Sequence, residues 1–152
     1  MNEVEQIISG IKYAVLATVS EDGQPWNTPF FASIDKDLNI YWDSSTESQH
    51  SRNIQANSKV FIVIFDSITE IEGKTKQGVY IKARASLVED PDGMNYYFKL
   101  REKGPKPLSD TTQFKGKSPK RIYKAIPDQV WINDRVVIDG RKVDIRKEVP
   151  LS

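Results

Sequence analysis

Apolar and polar residues along this chain change over in short runs separated by turn signals. Val4, Ile7, Ile8 and Ile11 recur at helical spacing, which predicts a short amphipathic helix over residues 2–10. The run from Tyr13 to Val19 is apolar and ends at Ser20-Glu21-Asp22-Gly23-Gln24, whose Asp-Gly pair is a hairpin signal. Further strands are expected over about Trp26–Ile34 and Leu38–Trp42, divided by Asp35-Lys36-Asp37. Connections this tight make an antiparallel meander, because parallel crossovers need about a dozen residues or more.

The pattern changes between Ser44 and Asn57, where Ile54 and Ala56 are the sole apolar residues, and a loop leading into a short helix is expected. Lys59–Phe65 then reads as a strand covered on both faces or set in a closed barrel, and Gly78–Val88 as another strand. From Pro91 to about Lys103 a helix is predicted, with Pro in its first turn and Met94, Tyr97, Phe98 and Arg101 in register. Residues 104–120, rich in Gly, Pro, Lys and Ser, read as a mobile loop placed to cover an anionic substrate. Arg121–Asn133 and Val136–Ile145 are expected to close the chain as two strands around Asn133-Asp134-Arg135. Six or seven mostly antiparallel strands with three short helices give a mainly β chain, one domain over residues 1–152. Such a sheet escapes open edges most simply by curling into a barrel.

Composition then removes whole classes of chemistry. With no cysteine in 152 residues, disulfide frameworks, thiolate metal sites and thiol catalysis are excluded. One histidine argues against a zinc hydrolase, so no metal site is expected. There is no basic start followed by an apolar run, and no stretch nears the ~18 apolar residues that span a bilayer. A cytoplasmic protein with no membrane partner is the expectation. Charge is divided: residues 1–98 hold 8 Lys and Arg against 14 Asp and Glu, net −6, whereas residues 99–152 hold 14 against 7, net +7. A basic third attracts nucleic acid, a phosphate-bearing small molecule or an acidic face of a second subunit. Lys103, Lys106, Lys115, Lys117, Lys120, Arg121 and Lys124 are its densest cluster, but no aromatic-laced nucleic-acid motif accompanies them, and no nucleic-acid partner is expected.

Several stretches, taken in order, resemble one family. They are Ala14-Val15-Leu16-Ala17-Thr18-Val19, Asp22-Gly23-Gln24-Pro25, Thr28-Pro29-Phe30, and Ile40-Tyr41-Trp42. Ser44-Ser45 and Ser48-Gln49-His50-Ser51-Arg52-Asn53-Ile54 follow, then Gly78 to Ala85 and Tyr123-Lys124-Ala125-Ile126-Pro127 with Val130-Trp131. Together they resemble the pyridoxamine 5′-phosphate oxidase-like proteins, the FMN-binding split barrels. That resemblance implies a six-stranded antiparallel split barrel that forms a homodimer with cofactor sites at the interface. It implies that the loop and helix after the third strand hold the flavin phosphate. Ser44, Ser45 and Ser48 would supply hydroxyls, His50 and Arg52 cations, with Gln49 and Asn53 in the same motif. Many relatives carry Lys where His50 stands, so the charge at this position depends here on pH. By the same resemblance Thr28, Pro29 and Phe30 line the isoalloxazine, and Trp131 neighbours the ring across the dimer, with Trp26 a weaker candidate. Lys82 and Arg84 alternate on the central strand and share a face.

The function this implies is an FMN-dependent oxidoreductase acting on an unidentified small molecule. The flavin carries the redox chemistry, so no catalytic residue stands out in the sequence. The basic tail Arg141-Lys142-Val143-Asp144-Ile145-Arg146-Lys147 does not align with the family's substrate-phosphate segment, which speaks against vitamin B6 oxidation. The alternative is a protein that holds FMN, deazaflavin F420 or haem without turnover, for storage or sensing.

Overall fold

A computed structural model describes residues 2–67, 77–102 and 110–151. Helix α1 (Glu3–Ile8) is followed by β1 (Tyr13–Val19), β2 (Pro25–Phe31), β3 (Ser33–Ile34) and β4 (Ile40–Ser45). Helix α2 (Gln49–Ala56), β5 (Lys59–Phe65), β6 (Gly78–Val88) and α3 (Pro91–Arg101) come next. A 3₁₀ turn at Thr111–Phe114 leads into β7 (Lys120–Ile138) and β8 (Arg141–Val149). Strands β5 and β6 take the bounds the sequence predicts. Helix α1 starts at a capping box in which Asn2 Oδ1 accepts from Glu5 N at 2.8 Å and Asn2 N donates to Glu5 Oε2 at 2.9 Å.

The strands run β2-β1-β5-β6-β7-β4-β3 across the sheet, every described pairing antiparallel, with β8 added to β7. The two ends of that order, β2 and β3, are halves of one bent strand separated by Ala32. The sheet therefore returns on itself as a six-stranded barrel. Pro127 is tolerated within β7 because the register shifts beside it, between Lys82 and Ala83. Asp128 at that irregularity pairs with Arg84 at 3.4 Å, and Lys82 Nζ donates to Gln129 Oε1 at 3.1 Å, so the two exposed cations of β6 are engaged with β7.

Period-two alternation fills the barrel. Ala14 and Leu16 of β1, Ile40 and Trp42 of β4, Ile62 and Ile64 of β5 and Val79, Ile81 and Ala83 of β6 point inward and are buried. Trp42 stacks on Tyr123 at 5.5 Å and meets Phe30 edge-on at 5.2 Å inside this core. The opposite face of β4 builds a second cluster, in which Tyr41 packs with Met94, Tyr97, Phe98, Phe114 and Ile122. Tyr97 OH donates to Asp43 Oδ2 at 2.6 Å. Burial first, and Asp43 next, push this phenol far up, so it remains a donor at any ordinary pH.

Two expectations are corrected. The part of the supposed loop described here, residues 110–119, is anchored rather than mobile, because Phe114 is 2% exposed within the second cluster. Residues 103–109, with Lys103 and Lys106 of the basic cluster, lie outside the described residues. Arg121 donates to the Gly116 carbonyl at 2.9 Å and the Lys120 carbonyl at 2.7 Å, and Lys124 lies 5.3 Å from the Tyr41 ring centre. These two cations therefore have local tasks. The last turn is also displaced. β7 continues through Asn133-Asp134-Arg135 to Ile138, and the reversal occurs at Asp139-Gly140, both at positive φ (49° and 74°). That is the backbone a two-residue hairpin turn demands, and Asp-Gly meets the demand without strain.

Candidate functional site

The polar stretch after β4 folds back as a hydroxyl-rich corner at the start of α2. Ser44 and Ser45 end β4 opposite Arg121 and Lys120 of β7. Thr46 N then donates to the Pro119 carbonyl at 2.9 Å, which turns the chain toward the helix. Ser48 is the N-cap residue of α2, yet its side chain makes no capping bond. The first helical bond is Arg52 N to Ser48 O at 3.0 Å, so the N–H groups of Gln49, His50 and Ser51 precede the ladder. An uncapped first turn of this kind favours an anion.

Around it, His50 Nε2 lies 2.7 Å from Ser44 Oγ and 3.1 Å from Ser48 Oγ. Ser48 Oγ in turn lies 2.8 Å from the Ser45 carbonyl and 2.8 Å from Ser51 Oγ. Ser48 carries one hydroxyl hydrogen for these contacts. Burial lowers the His50 imidazole below its usual value near 6.5, so the ring is neutral at neutral pH. Burial thus favours the neutral ring in the free protein, and a bound dianion would favour the cation.

Arg52, Gln49, Asn53 and Thr18 form a second polar chain. Arg52 Nη2 donates to Gln49 Oε1 at 3.1 Å, Gln49 Nε2 to Asn53 Oδ1 at 2.8 Å, and Asn53 Nδ2 to Thr18 Oγ1 at 2.9 Å. Asn53 and Thr18 are 3% and 2% exposed, so this amide is a buried tie between α2 and β1, already engaged through both ends. Arg52 is exposed at the other end of the chain. It lines an open depression of about 380 Å³ with Gln49, Asn53, Ser20, Glu21 and Asp22. Asn53→Ala should lower folding stability by about 1–3 kcal/mol, since Thr18 Oγ1 loses its buried partner. Thermal unfolding should register a fall of roughly 3–10 °C; an unchanged midpoint would show that the tie carries no weight.

The remaining candidates separate by face. β1–β2 pairing sets Thr28 opposite Leu16 and Phe30 opposite Ala14, so both point inward, with Phe30 9% exposed against Trp42. Pro29 sits opposite Val15 and points outward. The ring of Phe30 belongs to the core, and what β2 offers a ligand is backbone, since β1 is its one strand neighbour among the described residues. Trp131 is outward too, stacked on Phe61 at 6.2 Å. Cross-strand pairs place Pro29, Val15, Val63, Tyr80 and Trp131 in one row across the outer face. The structure thus joins Ser44, Ser45, Ser48 and His50 in one hydrogen-bonded network and Gln49, Arg52 and Asn53 in a second, both carried by α2. Trp131 stands apart from it on the outer face of the sheet. Trp26, 45% exposed, pairs with Thr18 beside α2.

Residues the sequence pattern did not single out also build the corner. Thr18 continues the inward alternation of Ala14 and Leu16, a polar residue in an apolar phase, and that was its one legible signal. Ser51 is 3% exposed and bonded to Ser48, while Ser20 and the acidic pair Glu21-Asp22 line the depression beside Arg52. Among the described residues no cluster of His, Cys, Asp and Glu suits a metal ion, and no helix is long and apolar enough to cross a membrane.

A closed antiparallel barrel with a hydroxyl-lined helix start beside it defines a split-barrel protein. The chain belongs to the pyridoxamine 5′-phosphate oxidase family, whose profile matches residues 1–134. A comparison with curated proteins returned no match. Similar solved structures include the heme storage protein HutZ from Vibrio cholerae (20% identity, 84% of this chain and 90% of that one, TM-score 0.69). A second is an F420 reductase (24% identity, 86% and 97%, TM-score 0.63). A heme-binding protein from Mycobacterium smegmatis (17% identity, 95% and 56%, TM-score 0.66) is a third. At these identities the likeness is one of fold.

Proposed function

We propose that this protein binds FMN, with the phosphate at the start of α2, and uses it as an oxidoreductase on a small molecule. The observation that carries the proposal is the uncapped first turn of α2, set among Ser44, Ser48 and His50 with Arg52 at its rim. Backbone N–H groups, short hydroxyls and a guanidinium are the donors a phosphate dianion needs. The backbone edge of β2 at Thr28 and Pro29, unpaired among the described residues, suits the pyrimidine side of a flavin. FMN, when bound, supplies the hydride or electron chemistry; the chain's own part is to anchor, orient and shield it.

The outer row of Pro29, Val15, Val63, Tyr80 and Trp131 supports a homodimer. Its side chains are half-buried or exposed in one chain, and a second copy would cover them. In that arrangement Trp131 meets the partner's cofactor rather than its own chain's corner, which accounts for its separation from α2. A cytoplasmic setting accords with a cysteine-free chain.

The test is a titration with FMN and riboflavin. Arg52→Ala and His50→Ala should each weaken FMN by about ten- to a hundredfold and leave riboflavin unchanged, as expected for a charged hydrogen bond. His50 should take up a proton as phosphate binds, so wild-type affinity rises as pH falls from 8 toward 6.5. His50→Ala should flatten that slope. Equal losses for riboflavin and FMN would overturn the phosphate assignment, and a haem Soret band in the purified protein would replace the flavin reading. Bound FMN that NADH and NADPH leave unbleached would replace turnover with storage or sensing.

A further inference from the structure

The β7–β8 ribbon beyond Asn133 is built like a packed sheet, yet from Asp134 to Ile145 all its residues but Val136 are exposed. Its register sets Val136 opposite Val143, Asp134 opposite Ile145 and Ile138 opposite Arg141. These pairs share the face that carries buried Ile132 farther back, so Val136, Ile138, Val143 and Ile145 extend the apolar side of the sheet outward. Ile138 is 53% exposed, Val143 38% and Ile145 36%. The reverse face is mostly polar, with Arg135 Nε donating to Asp144 Oδ1 at 2.7 Å and Arg146 3.9 Å from the Tyr80 ring centre, and it carries Val137, 69% exposed, opposite Lys142. An isolated two-stranded ribbon is marginal in water and gains nothing from apolar alternation unless that face is covered. Most of this ribbon also falls beyond the family match, which ends at residue 134.

We propose that the ribbon is a clasp that docks on the acidic β1–β2 turn of a second copy of this chain. Charge complementarity favours that occupant. Arg141 and Lys142 form the exposed tip of the ribbon, and residues 135–149 hold five Lys and Arg against three Asp and Glu. The turn presents exposed Glu21 and Asp22, with Val19, 37% exposed, on one face of the hairpin and Trp26, 45% exposed, on the other. A ribbon tipped with cations thus meets a turn tipped with carboxylates, with Trp26 as its apolar contact. Geometry agrees with the charge. The ribbon leaves the barrel past the start of β6, where Asn133 adjoins Gly78, whereas the β1–β2 turn lies by α2 at the other end of β1. A two-fold axis running across the strands between two outer faces reverses the barrel and brings these ends together. Both contacts then form twice, as an isologous dimer requires. Glu21 and Asp22 also wall the depression beside Arg52, so the partner's ribbon would cover that depression.

This inference rests on the dimer reading above, and the experiment separates the two. Mass by light scattering and the dimer dissociation constant by sedimentation are measured for four proteins: wild type, Arg141→Glu/Lys142→Glu, Glu21→Lys/Asp22→Lys, and the four changes combined. All four sites are exposed, and circular dichroism confirms each fold. The expected result is a wild-type mass of twice 17.3 kDa. Each double variant should dissociate at least about tenfold more readily, and the combined variant should recover. Dimers of wild-type strength in both double variants, or no recovery in the combined one, overturn the clasp while leaving an outer-face dimer standing. A monomeric wild type overturns clasp and dimer together, and the FMN titration then judges the flavin assignment by itself.

Discussion

Phe114→Ala is expected to cost about 3–5 kcal/mol of folding stability, as for other buried aromatic truncations. Phe114 is 2% exposed, 5.9 Å from the Phe98 ring and edge-on to Tyr97 at 6.4 Å. The turn that delivers it is well tied. Asp110 accepts from Thr112 N at 2.9 Å and from Thr112 Oγ1 at 2.6 Å, and Ser118 Oγ donates to the Gln113 carbonyl at 2.5 Å. Removing the ring opens a cavity between α3 and β4 that this turn cannot close. Urea unfolding measures the loss, and a change below about 1 kcal/mol would mean the segment is no part of the core. FMN affinity of the folded variant should be untouched, because the second cluster lies on the far face of β4 from Trp42 and the barrel interior. A truncation from residue 110 to 116 would accordingly unfold the α3 layer rather than remove a lid.

The fate of that segment illustrates what the sequence discloses. β5 and β6 are legible to the residue because each is a dense apolar run between polar breaks, and the period of two survives on both. Phe114 is a lone aromatic among Lys, Gly, Ser and Thr, and local composition outvotes it; only α3 packing above the turn reveals its place. Asp139-Gly140 carries the same signal as Asp22-Gly23. It was masked by Asn133-Asp134-Arg135, three polar residues that look like a turn but sit in one ribbon with Val136, Val137 and Ile138. The polar cluster proposed for phosphate is readable as a cluster because Ser44 to Asn53 are nearly contiguous, so one loop and one helix turn bring them near one another. The roles within it were less so. Asn53 is spent on Thr18, thirty-five positions earlier, and burial lowers the basicity of His50, which no local pattern encodes. The outer row that holds Trp131 exists only through the register of five strands.

Ser48→Asp should move stability and cofactor affinity in opposite directions. Aspartate is a strong N-cap, and a carboxylate at the positive end of α2 is worth about 0.3–1 kcal/mol. It can accept from the uncapped first-turn N–H groups that serine leaves open, and it gives His50 a counter-charge that favours the imidazolium. The free protein should therefore melt at the wild-type temperature or slightly above it. FMN faces the reverse. The carboxylate fills the place proposed for phosphate and repels a dianion by roughly 4 kcal/mol per pair of unit charges at 4 Å, taking an effective dielectric constant of about 20. Affinity should fall at least about a hundredfold, while riboflavin, which brings no phosphate, binds as to wild type. Flavin fluorescence titrations read both. A protein that loses stability and flavin together would only have lost the serine network, and the lysine variant Ser48→Lys then decides: phosphate at this corner requires it to retain FMN better than the aspartate does. FMN bound by Ser48→Asp as tightly as by wild type would remove the phosphate from α2 altogether.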